Sequence, residues 1–352
     1  MPVITDDLVV ALHTIKGTQL WQFLPEDYTD LTWSRNQRIA SSVTLTAPPD
    51  PERKLGDIEP WRDWLSIYDG ERDVLLWTGP VQKATSNRRG LLITAKDSAV
   101  YLGRTRNPIT KRWDAADPAW VAGELWNRMI EVQGLGRDAI VRPDPEGERF
   151  DFQVISNAQM LEQTISDLVN LGLRWTVVSG VAIVGPVGLD PVATLGDDDF
   201  LGDGLSFTRD GSAIFNDVLV SGPDALDQQR VDYHGQNLQT IRKVDSMFGV
   251  SNVRRATQQY LREVAGVRTR IELQGATVLH PEAAISIDEL MPSTRFVIDA
   301  QGVRQLVELT SVEVARSAGS VETRVTMESV EEKIELTDNI KQPNVTLGGT
   351  AL

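Results

Sequence analysis

The residues best equipped for chemistry are the acids of segment 196–204, GDDDFLGDG, and three histidines, His13, His234 and His280. Asp197, Asp198 and Asp199 offer the oxygen atoms that a hard divalent cation takes as ligands. A calcium loop, however, requires ligands at positions 1, 3 and 5, a Gly at 6 and a Glu at 12. Counted from Asp197, position 5 is Leu201 and position 12 is Thr208. The stretch therefore reads as a solvated turn between domains, with a weak divalent-ion site as the lesser alternative. The histidines are far apart in sequence and lack His-x-x-x-His spacing. The chain contains no cysteine, which removes disulfides and thiolate metal sites. No metal and no cofactor is expected. A Ser-His-Asp set around His234 or His280 has no GxSxG elbow to support it. GxxxxGK[ST] and GxGxxG are both absent. A carboxylate pair for glycoside hydrolysis is defined by separation in space, which sequence does not give. No catalytic residue is assigned.

Nine tryptophans are the other conspicuous set. Aromatic rings along a groove would bind sugars or bases. Trp77, Trp126 and Trp175 instead fall at core-compatible phases of their elements, so packing is the better reading. Trp61 and Trp64 stand beside a loop rich in Pro, Asp and Glu (47–60) and are candidates for an interface with another chain.

The elements that must position these residues follow from a duplication. LSIYD (65–69), LLWTGPVQKA (75–84) and LLITAKDSAV (91–100) form three strand patterns, matched by RFVIDA (295–300), LVELTSVEVA (306–315) and VETRVTMESV (321–330). Asp69 to Val81 is twelve residues against thirteen for Asp299 to Val312, and Val81 to Asp97 and Val312 to Glu328 are both sixteen. With 7–15, 19–23 and 40–46, the first copy counts six or so strands, enough for a small barrel or sandwich.

Between the copies the period changes to helical. Asp117-Pro118 is a helix start, and Ser156-x-x-Gln159 a capping box ahead of Leu161, Ile165, Leu168 and Val169, with Gly172 as the stop. A hairpin follows at 173–185, turning near Ser179-Gly180. LSFTRDGSAIFNDVLVSG (205–222) reads as β with a turn at Asp210-Gly211. A last helix runs from 252 to 265 with Val253, Ala256, Tyr260, Leu261 and Val264 inward. The fold class is mainly β with an α+β insertion: two related small β-barrel modules, tail-tube-like, plus a helical α+β domain. The expected divisions are 1–108, first β-barrel module; 109–195, α+β insertion; 196–225 with 267–330, second β-barrel module; and 226–266, helical insertion. Segment 331–352 is polar and aperiodic, and is expected to make intersubunit contacts.

Composition narrows the partners. Net charge is −15, from 50 acidic and 35 basic residues, so the chain repels nucleic acid, whose binding depends on Lys and Arg. No stretch approaches the roughly 18 apolar residues of a membrane span, and the N-terminus, MPVITDDLVVALH, lacks the basic start and apolar run of a secretion signal. Synthesis in the cytoplasm is expected.

The strand ending Asp69-Gly70, followed by LLWTGPV and LLITAKDSAVYLGR, resembles the first barrel of tail-hub proteins of long-tailed phages. These are related to the baseplate hubs of contractile injection machines. IFNDVLVSG, LQGATVLHPEAAISIDELMPSTRFVI and VELTSVEVA continue the family's order of elements over about 1–330. The resemblance implies a homotrimer forming a pseudo-sixfold ring at the distal tail tip of the virion. It also implies a distal tail protein ring above, the tape-measure protein inside, tip or fibre proteins below, and double-stranded DNA only in transit. Asp197, Asp198 and Asp199 would then be candidate lumen acids. The rival classes are a tail-tip enzyme cutting cell-wall polymer and a carbohydrate-binding adsorption module.

Overall fold

The structure is a computed structural model and describes residues 3–202, 205–266, 268–272, 277–300, 303–317 and 319–330. Segment 331–352, expected to make intersubunit contacts, lies outside the described residues. Alternating apolar residues build β1 (Leu8–Thr14), β2 (Gln19–Phe23), β3 (Asp30–Asn36), β4 (Ser42–Ala47), β5 (Asp63–Asp69), β6 (Val74–Asn87) and β7 (Gly90–Lys96). Helical periodicity then enters with β8 (Lys111–Ala116), α1 (Pro118–Gln133), β9 (Ile140–Val141), β10 (Phe150–Val154), α2 (Leu161–Asn170), β11 (Trp175–Val178) and β12 (Val181–Val184). Next come β13 (Pro191–Leu195), β14 (Ser206–Asp210), β15 (Asp217–Ser221), β16 (Leu226–Arg230), β17 (Gln239–Lys243) and α3 (Val250–Val264). The chain closes with β18 (Arg268–Glu272), β19 (Thr277–Val278), β20 (Arg295–Ala300), β21 (Val303–Ser317) and β22 (Ser320–Ser329).

The two sequence copies have one strand order. β5, β6 and β7 form an antiparallel meander, and so do β20, β21 and β22. In both, the long middle strand pairs first with the strand before it and then with the strand after it. In both, the second hairpin is tight, with Asn87 opposite Gly90 and Ser317 opposite Ser320. The two separate barrels expected from the strand count are not found among the described residues. β3 pairs with β21 from Asn36 opposite Ser311 to Asp30 opposite Ser317, so both meanders share one twelve-stranded sheet. Its open path runs β13-β20-β21-β3-β4-β7-β6-β5-β1-β2, with β22 and β19 branching from β21.

Two apolar cores result. The sheet core joins Leu8, Leu12, Phe23, Leu31 and Trp33 to Phe296, Ile298, Val312 and Val325. It is closed at one end by the irregular segment carrying the buried residues Ala283, Ile285, Ile287 and Leu290. The second core gathers α1, α2 and α3 around Trp126, Trp175, Phe150 and Phe152. Segment 196–225, assigned by sequence to the second β-module, divides between them: Phe200 and Leu205 join the sheet core, whereas Val218 and Val220 join the helical one. The reason is that Asp210-Gly211 turns no hairpin. β14 pairs with β18 in a sheet of its own, and β15 pairs with β16 and, in parallel, with β17.

The helices start where backbone donors find acceptors. Asp117 accepts from the Ala119 N–H at 2.8 Å, Pro118 takes the first helical position, and Gly134 at φ 64° ends α1. α2 begins at Leu161, later than the expected box. Gln163 reaches back to the Met160 N–H at 3.4 Å, while the Ser156 hydroxyl donates to the Asn107 carbonyl at 3.3 Å. α3 buries all five residues assigned inward.

Candidate functional site

Trp61 and Trp64 meet at the joint between the two cores. Trp64 faces away from the sheet core and is 8% exposed, stacked 6.5 Å from Tyr101. Trp61, half-buried, packs at 5.5 Å on the same ring, with the Arg104 guanidinium 5.4 Å from its own. Its backbone sits at φ 72°, a left-handed conformation costly for a bulky residue, and its N–H donates to the Val81 carbonyl at 2.9 Å. Both rings are thus engaged within the chain, and only Trp61 keeps appreciable surface for a partner. The tryptophan left outside is Trp120, 60% exposed in the first turn of α1. Sequence phase gave it no separate role.

The other side of the joint is polar. Gln37 donates at 2.6 Å both to Glu308 and to the Ser293 hydroxyl. Glu308 lies 3.5 Å from Arg174 and 3.9 Å from Arg295, and Arg295 reaches Glu146 at 2.8 Å. Arg174 and Glu146 belong to the helical part, and Gln37, Arg295 and Glu308 to the sheet. The hairpin of β11 and β12 completes the junction. Arg38 N–H donates to the Trp175 carbonyl at 2.9 Å, Thr176 to the Asn36 carbonyl at 2.9 Å, and Ser179 to the Leu75 carbonyl at 2.7 Å. Arg295 and Glu308 are direct cross-strand partners, a pairing that becomes visible only once the register of β20 and β21 is known.

Comparison with known proteins turns on this architecture. No family model matches the chain, and no curated protein matches its sequence. Among solved structures, a tail protein from Neisseria meningitidis is similar at 14% identity and TM-score 0.61, over 93% of this chain and 98% of that one. A 43 kDa prophage tail protein from Shewanella oneidensis follows at 12% and 0.60, over 91% and 98%. A prophage tail protein from Listeria monocytogenes is similar at 11% and 0.57, over 93% and 95%. The chain has the fold of phage tail proteins.

In this tail-protein fold, Asp197, Asp198 and Asp199 form one 3-10 turn directly after the edge strand β13. Asp199 is committed to the turn: its carboxylate accepts from the Gly196 N–H and its carbonyl from the His280 N–H, both at 2.8 Å. Asp197 and Asp198 are exposed. Among the described residues no group of three or more His, Asp or Glu side chains is arranged to hold a metal ion. A nucleophile meets a base at one place that the sequence did not indicate. His13 Nε2 lies 2.7 Å from the Ser66 hydroxyl, which lies 2.7 Å from that of Thr78. Ser66 is 2% exposed, and Gly180 at the tip of the β11–β12 hairpin packs against Thr78. A substrate has no approach to that hydroxyl, so the chain of three groups reads as buried polar pairing. No helix of the described residues is long and apolar enough to cross a membrane.

Proposed function

We propose that the chain is a structural hub at the distal tail tip of a virion, assembling as a homotrimer into a pseudo-sixfold ring through which double-stranded DNA passes. The observation that carries this is the fusion of two equivalent meanders, β5-β6-β7 and β20-β21-β22, into one sheet through β3 and β21. Three chains would present six equivalent units, which fits a sixfold tube to a threefold tip. The near full-length likeness to tail proteins agrees with it. Among the described residues the path of the sheet ends in β2 and β13, and unpaired strand edges call for cover.

In this reading a distal tail protein ring and the tape-measure protein lie on the tube side, with tip or fibre proteins below. Trp61 and segment 331–352 contribute to contacts between subunits, and the exposed Asp197 and Asp198 border the passage. Permanent interfaces on the order of 2,000 Å² or more are expected. Native mass spectrometry of the purified chain and of isolated tail tips tests the proposal. The expected species is 3 × 39.0 = 117 kDa. A chain that stays monomeric in solution and is present as single copies in the tail tip sinks it.

A further inference from the structure

We infer that β17 is a docking edge, taken up by segment 331–338 of a neighbouring copy, which adds to it as a further strand. The inference rests on the reading above of segment 331–352 as a contact between subunits. In the small sheet β16-β15-β17, β17 pairs with β15 on one side, and among the described residues no strand pairs with its other side. Such an edge accepts an extended segment through its free backbone groups. Register gives its two faces different surroundings. Val218 and Val220 of β15 turn into the helical core, so Ile241 and Lys243, opposite Leu219 and Ser221, face outward. Ile241 is 71% exposed, more than any other large apolar side chain among the described residues. Arg242 takes the opposite face, where it donates to the Tyr260 hydroxyl at 2.7 Å.

Charge selects the occupant. The chain as a whole carries −15, yet β17 ends in two cations, Arg242 and Lys243, and no acid. The end strands of the large sheet, β2 and β13, carry no charge at all. Segment 331–338, EEKIELTD, sets four acids against one lysine, −4 + 1 = −3. Its apolar residues, Ile334 and Leu336, are two positions apart, the spacing of side chains on one face of a strand. Set beside Ile241, they would extend the outward apolar row that Leu219 and Ile241 begin. Glu335 between them then falls on the face of Arg242, and opposite charges on adjacent strands are favourable. A slip of one residue would carry Glu335 to the outward apolar row and both apolar side chains to the face of Arg242. Charge and apolar alternation thus specify the same register.

The chain has no cysteine of its own, so disulfide mapping reads the contact directly. Ile241→Cys is combined with Leu336→Cys, and separately with Ile334→Cys, in the full chain. Both variants are oxidised with copper phenanthroline and followed by non-reducing gels and native mass spectrometry. Val132→Cys, 64% exposed near the end of α1, replaces Ile241→Cys as the reference. The expected result is a disulfide between chains from at least one Ile241→Cys pair and none from the reference. Adding Lys243→Glu should lower its yield by roughly tenfold, since it sets an acid among acids; an unchanged yield overturns the pairing. A trimer that forms without the disulfide overturns the inference and leaves the hub standing. A disulfide closed within one chain overturns it together with the intersubunit reading of the segment. If the parent chain forms no trimer in solution or in tail tips, the hub reading fails and this inference fails with it.

Discussion

Arg35 is 2% exposed, and its hydrogen-bond partners are backbone carbonyls: Ile287 at 2.7 Å, Leu290 at 3.3 Å and Leu76 at 3.2 Å. Burial drives its pKa down to about 10, with Asp288 pulling the other way. One guanidinium thereby ties β3 and β6 to the segment that closes the end of the sheet core. Arg35→Leu takes the guanidinium from the Ile287 and Leu290 carbonyls and leaves Leu76 only the Ser179 hydroxyl at 3.4 Å, and a loss of about 3 kcal/mol or more is expected in urea unfolding. Arg35→Lys, with one compact donor group, should recover only part of it. A loss below about 1 kcal/mol for Arg35→Leu would show that the carbonyls are satisfied otherwise. The same residue explains why β3 is not legible in the sequence. Leu31 and Trp33 alternate inward, and a charge then stands where the next apolar side chain belongs, so the period-2 signal ends too soon. Asp97 is a second residue with a measurable signature. Burial raises its pKa from 3.8 to about 6 despite hydrogen bonds from the Ser41 and Ala99 N–H groups. Desolvation likewise raises Asp167 to about 6. For an acid raised on folding, the folded state binds the extra proton, so stability grows as pH falls from about 6 toward 3.8 and is lost as pH rises through 6. For fully buried Asp97 the effect amounts to about 3 kcal/mol. Asp63 and Asp69 are also pushed up by burial, but the guanidinium groups of Arg62 and Arg72 outweigh it and hold them below the usual range. Their contribution is lost below pH 3.8. Thermal unfolding should therefore show stability highest near pH 4 and falling as pH rises toward 6, and Asp97→Asn should flatten that alkaline side. An unchanged profile in that variant would count against the assignment.

At the scale of elements, the β11–β12 hairpin is what fastens the helical part to the sheet. Its tip uses Ser179 at φ 50° and Gly180 at φ 77°, the paired left-handed geometry of a tight hairpin turn. A Cβ on Gly180 would come within 2.4 Å of the Thr78 Cγ2. Gly180→Val is thus strained twice, in backbone and in contact, and should cost about 2 kcal/mol. Hydrogen exchange would report it as faster exchange in β6 around residues 74–80 with β20 to β22 unchanged. Uniform loss of protection across both meanders would mean instead that the two parts unfold as one unit. This hairpin was legible because Ser-Gly between two apolar runs is a turn with a mechanism. α1 was legible because Asp117-Pro118 leaves few alternatives to a helix start. Asp210-Gly211 misled for a complementary reason. A local turn signal says nothing about whether the strands on either side belong to the same core: Leu205 before it joins the sheet core, whereas Val218 after it packs in the helical core. The duplicated meander was legible as spacing, but its fusion into one sheet was not, since pairing of β3 with β21 joins residues nearly three hundred positions apart. The joint residues Arg174, Glu146 and Glu308 were hidden in the same way, their partners lying well over a hundred positions off.

At the scale of the molecule, net charge decides what a ring can hold. Three chains carry 3 × −15 = −45. If that charge borders the passage, its field keeps duplex DNA from settling. The competing expectation is that the charge serves only solubility and is spread evenly over the outside, leaving the passage free to be basic. The two differ in a binding measurement on the assembled ring. Titration of a labelled duplex should give no saturable binding at physiological salt. At lower salt the repulsion should grow as the Debye length lengthens from about 8 Å toward 30 Å. A basic passage would behave in the opposite sense, binding more tightly as salt falls, with a log–log slope that counts the phosphates neutralised. Tight salt-sensitive binding would sink the conduit reading of the charge, whereas the sheet fused across β3 and β21 would still support a scaffold.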